Sequence, residues 1–357
     1  MADWVASGLG APPGPWTLSP SSLFPGVASG RQHTAARIKT SGATPISLIL
    51  TDMGCRYRLR AAARPGCGVP ARAGDGRAAA GAGVMVGVLG PVRAWQAGRP
   101  LPSGPAQRQL VLAVLALRAG TAVPREELVD ALWEQAPASA VNTVHKHICA
   151  LRAVLEPVRL PRGGELLATV AGGYELRLAS GAVDALAFAR DTARGRRAAA
   201  AGDLPAAAAA LSAGLGRWRG SALSGLDGPR VPALAQALHE ARLAAAEDHA
   251  RVLLALGRPG QAAAALAGPA AEHRLREGLC QLLMLARYQV GDLPGALAAY
   301  RCTRQALAYE LGTDPGTALS GLLRQILRRD PRLDPPASTP AASPSPPPPM
   351  PPMPPPW

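Results

Sequence analysis

Residues 140–155, AVNTVHKHICALRAVL, constrain this chain most, because their side chains fall into two distinct helical stripes. The first stripe is apolar and recurs at spacings of four, three and four residues, at Val144, Ile148, Leu151 and Leu155. The second carries hydrogen-bonding and cationic groups beside Lys146, at Asn142, His145, Cys149 and Arg152. One face suits a protein core, and the other, without a carboxylate, suits the major groove of DNA. The alternative is an amphipathic surface helix with a solvated polar face.

The segments around this stretch predict a small domain of sheet, three helices and hairpin. Apolar residues alternating from Val84, interrupted by Gly-containing turns, predict a small antiparallel sheet. Helices are predicted from about residue 105 to 118 and from Pro124 onwards, and Ser139 is predicted to cap the third helix. Two short strands around residues 171–173 predict a hairpin. This order is that of a winged helix-turn-helix.

The second half of the chain is predicted to be helical, because Ala and Leu dominate it and Gly and Pro are confined to junctions. Three junctions share a helix end, a Gly turn and a new helix rich in small residues: AGDLPAAAAAL (201–211), LGRPGQAAAAL (256–266) and VGDLPGALAAY (290–300). Gly257 and Gly291 are 34 residues apart, the tetratricopeptide period. The predicted fold class is therefore mainly α with a small β component, a winged helix-turn-helix followed by a tetratricopeptide-like α-helical domain.

Four segments are predicted. Residues 1–82, rich in Gly, Pro, Ser, Ala and Arg, are a disordered extension, 83–180 a winged-helix DNA-binding domain and 181–331 the helical domain. Residues 332–357 are a Pro-rich disordered tail in extended polyproline II conformation. Because the ordered pattern starts next to Met85, we hypothesise that native translation begins at or near Met85 and that the extension is not translated.

Composition and motifs exclude several classes of protein. The net charge of +14 fits a polyanionic partner. The five cysteines are scattered without a C-x-x-C pair, so neither a zinc site nor a disulfide framework is predicted. The longest apolar run, near residues 110–117, is too short to span a bilayer. Neither a phosphate-binding G-x-x-x-x-G-K-[ST] nor a G-x-S-x-G motif occurs, and we predict a protein that is not an enzyme and has no cofactor or metal.

Residues 142–155, NTVHKHICALRAVL, resemble without a gap the third helix of OmpR/PhoB-type effector domains, R/N-T-V-x-V-H-I-x-R-L-R-x-x-L. DALW at 130–133 and GGY at 172–174 are further matches. The fuller resemblance is to the Streptomyces antibiotic regulatory protein (SARP) family, through three phrases: GVLGP (87–91), WRG (218–220) and ELGTDPG (310–316). It covers residues 84–331 and implies that 181–331 is a bacterial transcriptional activation domain.

The resemblance implies that the third helix lies in the major groove and that the hairpin, the wing, reaches the adjacent minor groove. With the polar stripe, it indicates these DNA-binding residues: Asn142, Thr143, His145, Lys146, His147, Cys149, Arg152, Gly172 and Gly173. Arg152 is the strongest candidate for a phosphate or guanine contact, the alternative being a salt bridge to a neighbouring Glu. His147 matches a recurrent DNA-backbone contact, and its alternative is a partly buried histidine between helix and hairpin. Cys149 is predicted to be a passive small side chain.

Three departures from the family pattern lie on these elements. Ala150 stands where Arg is usual, Lys146 stands where an apolar residue is usual, and Val170 stands in the wing where Arg is common. The operator sequence is therefore not inherited from a relative, and we expect positions 146, 149 and 150 to determine operator preference. If Arg152 reads a guanine, Arg152→Ala should weaken operator binding by ~1–3 kcal/mol.

The sequence thus predicts a SARP-type transcriptional activator of a secondary-metabolite (antibiotic) gene cluster. It would bind direct repeats of double-stranded DNA as a homodimer and recruit RNA polymerase through the helical domain and a short loop of Glu134, Gln135, Ala136, Pro137 and Ala138. We therefore expect the protein to be cytoplasmic and nucleoid-associated, with no membrane partner. The alternative is a helical-repeat scaffold with a degenerate winged helix. A response regulator would need a receiver domain, which residues 1–82 cannot form.

Overall fold

The computed structural model describes residues 83–156 and 166–335, so the predicted extension and almost all of the predicted tail lie outside the described residues. By its backbone contacts the chain divides into two compact units between His249 and Ala250. The predicted domain limits at 82/83, 180/181 and 331/332 stay predictions. No helix in the described ranges is long and apolar enough to cross a membrane.

The first unit contains all the described strands and the three helices of the winged helix. The strands are β1 (Val84–Gly87), β2 (Arg93–Gln96), β3 (Arg99–Leu101), β4 (Ala122–Pro124), β5 (Leu167–Val170) and β6 (Gly173–Leu176). The helices are α1 (Ala106–Leu117), α2 (Arg125–Leu132), α3 (Ala140–Leu155), α4 (Asp184–Ala200), α5 (Leu204–Leu215) and the first part of α6 (Val231–Ala255). The strands form two antiparallel sheets, with orders β1-β2-β3 and β4-β6-β5.

Helix α3 buries the predicted apolar stripe against α1 and α2. Ile148 is fully buried and the other members of the stripe are at most 2 % exposed, which confirms the predicted inner face. Residues 110–116 of α1 are all buried, because α1 lies at the centre of the domain and is apolar nearly all round. Packing against α1 and α2 therefore orients α3 through its apolar side, and the opposite side of α3 faces outward.

The predicted hairpin is part of a larger sheet, because a further strand, β4, pairs with it. Residues 122–124 pair antiparallel with β6, so the hairpin belongs to a three-stranded sheet. Pro124 was predicted in the first turn of α2, whereas α2 begins at Arg125 and Pro124 occupies the N-cap position. A strand of three residues carries too little alternation to be recognised in sequence. Ser139 lies at the N-cap of α3 as predicted, but its side chain makes no capping bond.

The second unit contains the end of α6 and four further helices: α7 (Pro259–Glu272), α8 (Glu277–Val290), α9 (Leu293–Glu310) and α10 (Thr317–Leu327). A 3-10 turn follows at Pro331–Leu333. Helix α8 packs against α7, α9 and α10. The buried cluster around it contains Cys280, Met284, Leu319, Leu322, Ile326 and Leu333. With the winged helix of the first unit, these helices confirm the predicted fold class.

The three predicted junctions each turn at a glycine in the left-handed region. Gly202, Gly257 and Gly291 have φ of 82°, 68° and 90°, values that side chains with a Cβ rarely adopt. Asp203 and Asp292 follow two of these glycines, and each carboxylate accepts an N–H bond from the first turn of the next helix. The junctions are thus sharp helix–helix turns, as their shared sequence pattern predicts.

Candidate nucleic-acid interface

The outward side of α3 gathers most of the predicted DNA-binding residues. Asn142, His145, Lys146 and Cys149 are exposed, whereas Thr143, His147 and Arg152 are partly buried. The hydroxyl of Thr143 donates to the Ser139 carbonyl at 3.1 Å, inside the helix. Helix α3 itself has no acidic residue, so the exposed stripe offers hydrogen-bonding groups and one lysine to a polyanion.

His145 is oriented by the wing. Its Nδ1 lies 3.4 Å from the Tyr174 hydroxyl of β6, and its Nε2 lies 3.5 Å from the Cys149 sulfur. Tyr174 is 3 % exposed, so the GGY motif supplies a buried anchor for the histidine. Both glycines of that motif were predicted to bind DNA, whereas no role was predicted for the tyrosine. The three polar groups form a continuous row from β6 to the exposed stripe.

Arg152 joins α3 to the wing. Its Nε donates to the Leu167 carbonyl and its Nη2 to the Thr169 hydroxyl, both at 2.8 Å. Glu156 at the end of the helix accepts bonds from the backbone N–H groups of Leu166 and Leu167. The predicted salt-bridge alternative is wrong for the described residues, because the arginine binds strand β5. The contact of Arg152 with DNA stays a prediction.

Arg152→Ala is expected to destabilise the first unit by about 1–3 kcal/mol, because two bonds from a charged donor are lost. Thr169→Val, which removes only the hydroxyl acceptor, should cost less. Urea unfolding of the three proteins measures both changes. Unaltered stability of Arg152→Ala with weaker, less specific DNA binding would instead support the base contact inferred from sequence.

His147 lies on another side of α3 and is partly buried. Burial lowers the pKa of His147, and the nearby positive charge of Arg108 lowers it further. Its Nε2 is buried without a hydrogen-bond partner. The alternative prediction placed His147 between the helix and the hairpin. The charged group that affects its pKa, Arg108, instead lies on α1. The contact of His147 with the DNA backbone stays a prediction.

The two wing glycines differ in their surroundings. Gly172 is exposed and has φ +76°, and a Cβ added to it would meet no other atom within 4 Å. Its carbonyl accepts a 3.1 Å bond from the N–H of Arg125 at the start of α2. Gly173 is buried opposite Pro124, and a Cβ there would lie 2.0 Å from the Val123 carbonyl oxygen. Gly173 is therefore required by sheet packing, and Gly172 forms the exposed turn.

The loop between α2 and α3 is fully available to a partner. All five predicted polymerase-contact residues, 134–138, are exposed. The loop closes where the Ala140 N–H donates to the Pro137 carbonyl at 2.9 Å. Its role as a polymerase contact stays a prediction.

Two sequence motifs meet at the first residue of α4. Asp184, the first residue of α4, accepts bonds from the N–H groups of Val88 and Leu89 in GVLGP, at 2.8 and 3.1 Å. Arg219 of WRG donates to the same carboxylate at 3.0 Å and lies 5.1 Å above the Trp95 ring. A Cβ on Gly87 would lie 2.2 Å from the Arg219 guanidinium and 2.9 Å from the Trp95 ring, so a larger residue here would displace one of these side chains. Helix α4 is thereby fastened to the first sheet.

Within the described residues, no group of three His, Cys, Asp or Glu side chains is placed to hold a metal ion. Cys149, Cys280 and Cys302 are free thiols. Burial raises the pKa of the Cys280 thiol above its ordinary value.

Two family profiles match the chain. Residues 98–176 match the profile described as "Transcriptional regulatory protein, C terminal", and residues 183–327 match "Bacterial transcriptional activator domain". The chain is 42 % identical over 239 residues to the regulatory protein AfsR of Streptomyces coelicolor, which covers 66 % of the chain and 23 % of AfsR. The matched part thus spans about a quarter of that relative.

Shorter relatives are covered more fully. The chain is 37 % identical to the transcriptional regulator RedD of Streptomyces coelicolor, over 68 % of RedD. It is 34 % identical to the regulatory protein DnrI of Streptomyces peucetius, over 90 % of DnrI and 67 % of this chain. The solved structure of Mycobacterium tuberculosis EmbR, in complex with a low-affinity phosphopeptide, superposes with a TM-score of 0.64 at 35 % identity. That match covers 69 % of this chain and 65 % of the EmbR chain.

Proposed function

Because the chain belongs to the SARP family of bacterial transcriptional regulators, we propose that it activates transcription by binding direct repeats of double-stranded DNA near a promoter. Helix α3 enters the major groove, and the β5–β6 wing reaches the adjacent minor groove. The observation that carries this proposal is the exposed, carboxylate-free stripe of α3, at Asn142, His145, Lys146 and Cys149.

The tertiary contacts of α3 support this orientation. The helix is held by its apolar stripe on one side and by Arg152 and Glu156 at its C-terminal end. The exposed stripe is thus presented on a rigid element, which a sequence-reading surface needs. His145, positioned by Tyr174, and the adjacent Lys146 are the groups we assign to base edges or phosphates.

We further propose the partners, the target genes and the cellular location of this protein. Two copies bind neighbouring repeats as a homodimer on DNA, and the loop 134–138 and the helical domain contact RNA polymerase. The targets are genes of a secondary-metabolite (antibiotic) cluster, and the protein acts in the cytoplasm at the nucleoid, without catalysing a reaction. The exposure of the whole loop supports the polymerase contact, and the match to a bacterial transcriptional activator domain supports the role in transcription.

Fluorescence anisotropy with promoter fragments from the chain's own genomic neighbourhood tests DNA binding. We expect saturable binding to at least one fragment, with an affinity that falls steeply as the salt concentration rises. Scrambling one of two repeats should remove the higher-order complex. A failure to bind any of these fragments at low salt would favour the alternative, a protein-interaction scaffold with a degenerate winged helix, which the Ala150 and Val170 substitutions in the family pattern motivate.

Lys146→Ala tests the assignment of the groove face. If Lys146 binds a phosphate, the variant should weaken binding to all sequences alike and lower the slope of log K against log salt by about one. Lys146→Arg keeps the charge and serves as the matched control. Both variants should unfold like the wild type, since Lys146 is exposed. Unchanged affinity and slope in Lys146→Ala would show that this face does not contact the DNA backbone.

A further inference from the structure

We propose that Tyr174 of β6 determines which base α3 reads at one position, because its hydroxyl fixes the ring proton of His145 on Nε2. This inference rests on the proposed DNA-binding function and deepens it, since it gives one member of the exposed stripe a defined hydrogen-bonding character. Tyr174 is a positioning residue that acts through the histidine and does not itself touch the DNA.

The tyrosine is held in a fixed place by the sheet. Strand β6 is the middle strand of its sheet, and Tyr174 lies opposite Val123 of β4 and Thr169 of β5. The residue is 3 % exposed, and its hydroxyl lies 3.4 Å from Nδ1 of His145. No other group in residues 83–156 and 166–335 forms a hydrogen bond with this hydroxyl. The histidine is therefore the one described partner of a buried phenol.

The burial of the phenol sets the direction of this hydrogen bond. A buried hydroxyl proton without an acceptor is costly, and Nδ1 of His145 is the acceptor within reach. If Nδ1 instead carried a proton and donated to the phenol oxygen, the phenol proton would be left without a described acceptor. The hydroxyl of Tyr174 therefore donates to an unprotonated Nδ1. In a neutral imidazole the ring proton then lies on Nε2.

The other ring nitrogen lies on the outward side of α3. His145 and Cys149 are both exposed, and Nε2 of His145 lies 3.5 Å from the Cys149 sulfur. A thiol sulfur is only a weak acceptor, so the Nε2–H group has a resting partner in the free protein that a stronger acceptor can replace. Asn142 and Cys149 flank His145 along the same stripe. The histidine thus presents a donor from the middle of the exposed surface.

A donor at this point distinguishes cytosine from the other three bases. In the major groove guanine, adenine and thymine each present an acceptor, whereas cytosine presents only its amino donor. An Nε2–H group facing cytosine places two donors against each other, and both lose their hydrogen bonds. Without the tyrosine hydroxyl the ring proton can move to Nδ1, and Nε2 can then accept from the cytosine amino group. The hydroxyl of Tyr174 therefore contributes to specificity through the tautomer of His145.

Binding of promoter fragments that carry each base in turn at every position of one repeat tests this specificity. Wild-type protein should bind the cytosine variant of one position about tenfold more weakly, and His145→Ala should lose that preference. Tyr174→Phe keeps the aromatic ring and should reduce the cytosine penalty at the same position. A merely destabilised variant would weaken all fragments alike. Cys149→Ala is the matched control and should keep the full penalty, because it leaves the tyrosine hydroxyl in place.

Heteronuclear NMR of the histidine ring nitrogens reads the tautomer without DNA. At mildly alkaline pH, where imidazoles are neutral, His145 should carry its proton on Nε2 in the wild type and in Cys149→Ala, and on both nitrogens in exchange in Tyr174→Phe. A proton on Nδ1 in the wild type, or a tautomer that changes in Cys149→Ala but not in Tyr174→Phe, would overturn this inference.

The two experiments separate this inference from the proposed function. Wild-type protein that binds none of the fragments would overturn the proposed function, on which the inference rests. Wild-type protein that binds a fragment, but shows no position where both His145→Ala and Tyr174→Phe reduce a cytosine penalty, would overturn the inference alone.

Discussion

Asp184→Ala is expected to lower the free energy of unfolding of the first unit by about 3 kcal/mol, because buried backbone donors lose their acceptor. The carboxylate accepts from Val88 and Leu89, whose residues are fully buried, and also pairs with Arg219. No other described acceptor is bonded to these two N–H groups. Urea unfolding followed by circular dichroism measures the loss, with the slope of the transition reporting whether it stays cooperative.

Asp130→Ala is the matched control for this change. Asp130 also pairs with an arginine, Arg230, at 3.0 Å, but its side chain is 58 % exposed and it accepts no backbone bond. Exposed pairs of this kind contribute about 0–1 kcal/mol. Equal losses for the two alanine variants would contradict the role assigned to Asp184. A large loss confined to Asp184→Ala would assign GVLGP and WRG to the attachment of α4 rather than to DNA binding.

Gly173→Ala is expected to disrupt the wing and to cost at least ~3 kcal/mol, the upper end for forcing extra atoms into a packed site. The new Cβ would lie 2.0 Å from the Val123 carbonyl oxygen, so β4 and β6 would have to separate. Because β6 carries Tyr174, the separation also removes the support of His145. We therefore expect a lower melting temperature and a loss of promoter binding of at least about tenfold, roughly the 1.4 kcal/mol that a tenfold change represents.

Gly172→Asn distinguishes packing from DNA contact in the wing. Gly172 has φ +76° with open space around it, and asparagine tolerates the left-handed region better than other residues. The variant should remain nearly as stable as the wild type. Weaker promoter binding without loss of stability would support a DNA contact by the turn. A stability loss as large as that of Gly173→Ala would contradict the different roles assigned to the two glycines.

The sequence alone determined the features that depend on local periodicity. The apolar stripe of α3 was predictable because an inward face must repeat with the helical turn, and its predicted members are buried. The Gly turns between helices were predictable because few residues other than glycine adopt positive φ. Together with the family phrases, these patterns were sufficient for the fold class.

Only the tertiary structure decided which side chains meet. Arg152 binds a strand fifteen residues away instead of the glutamate considered from sequence, and Asp184 binds backbone groups 96 and 95 residues earlier in the chain. Strand β4 became recognisable through its pairing with β6. The physical reason is that periodicity reports which face of an element is buried, whereas a polar partner is selected by distance and direction between elements. The distance and the direction between two elements are set only when the elements pack against each other.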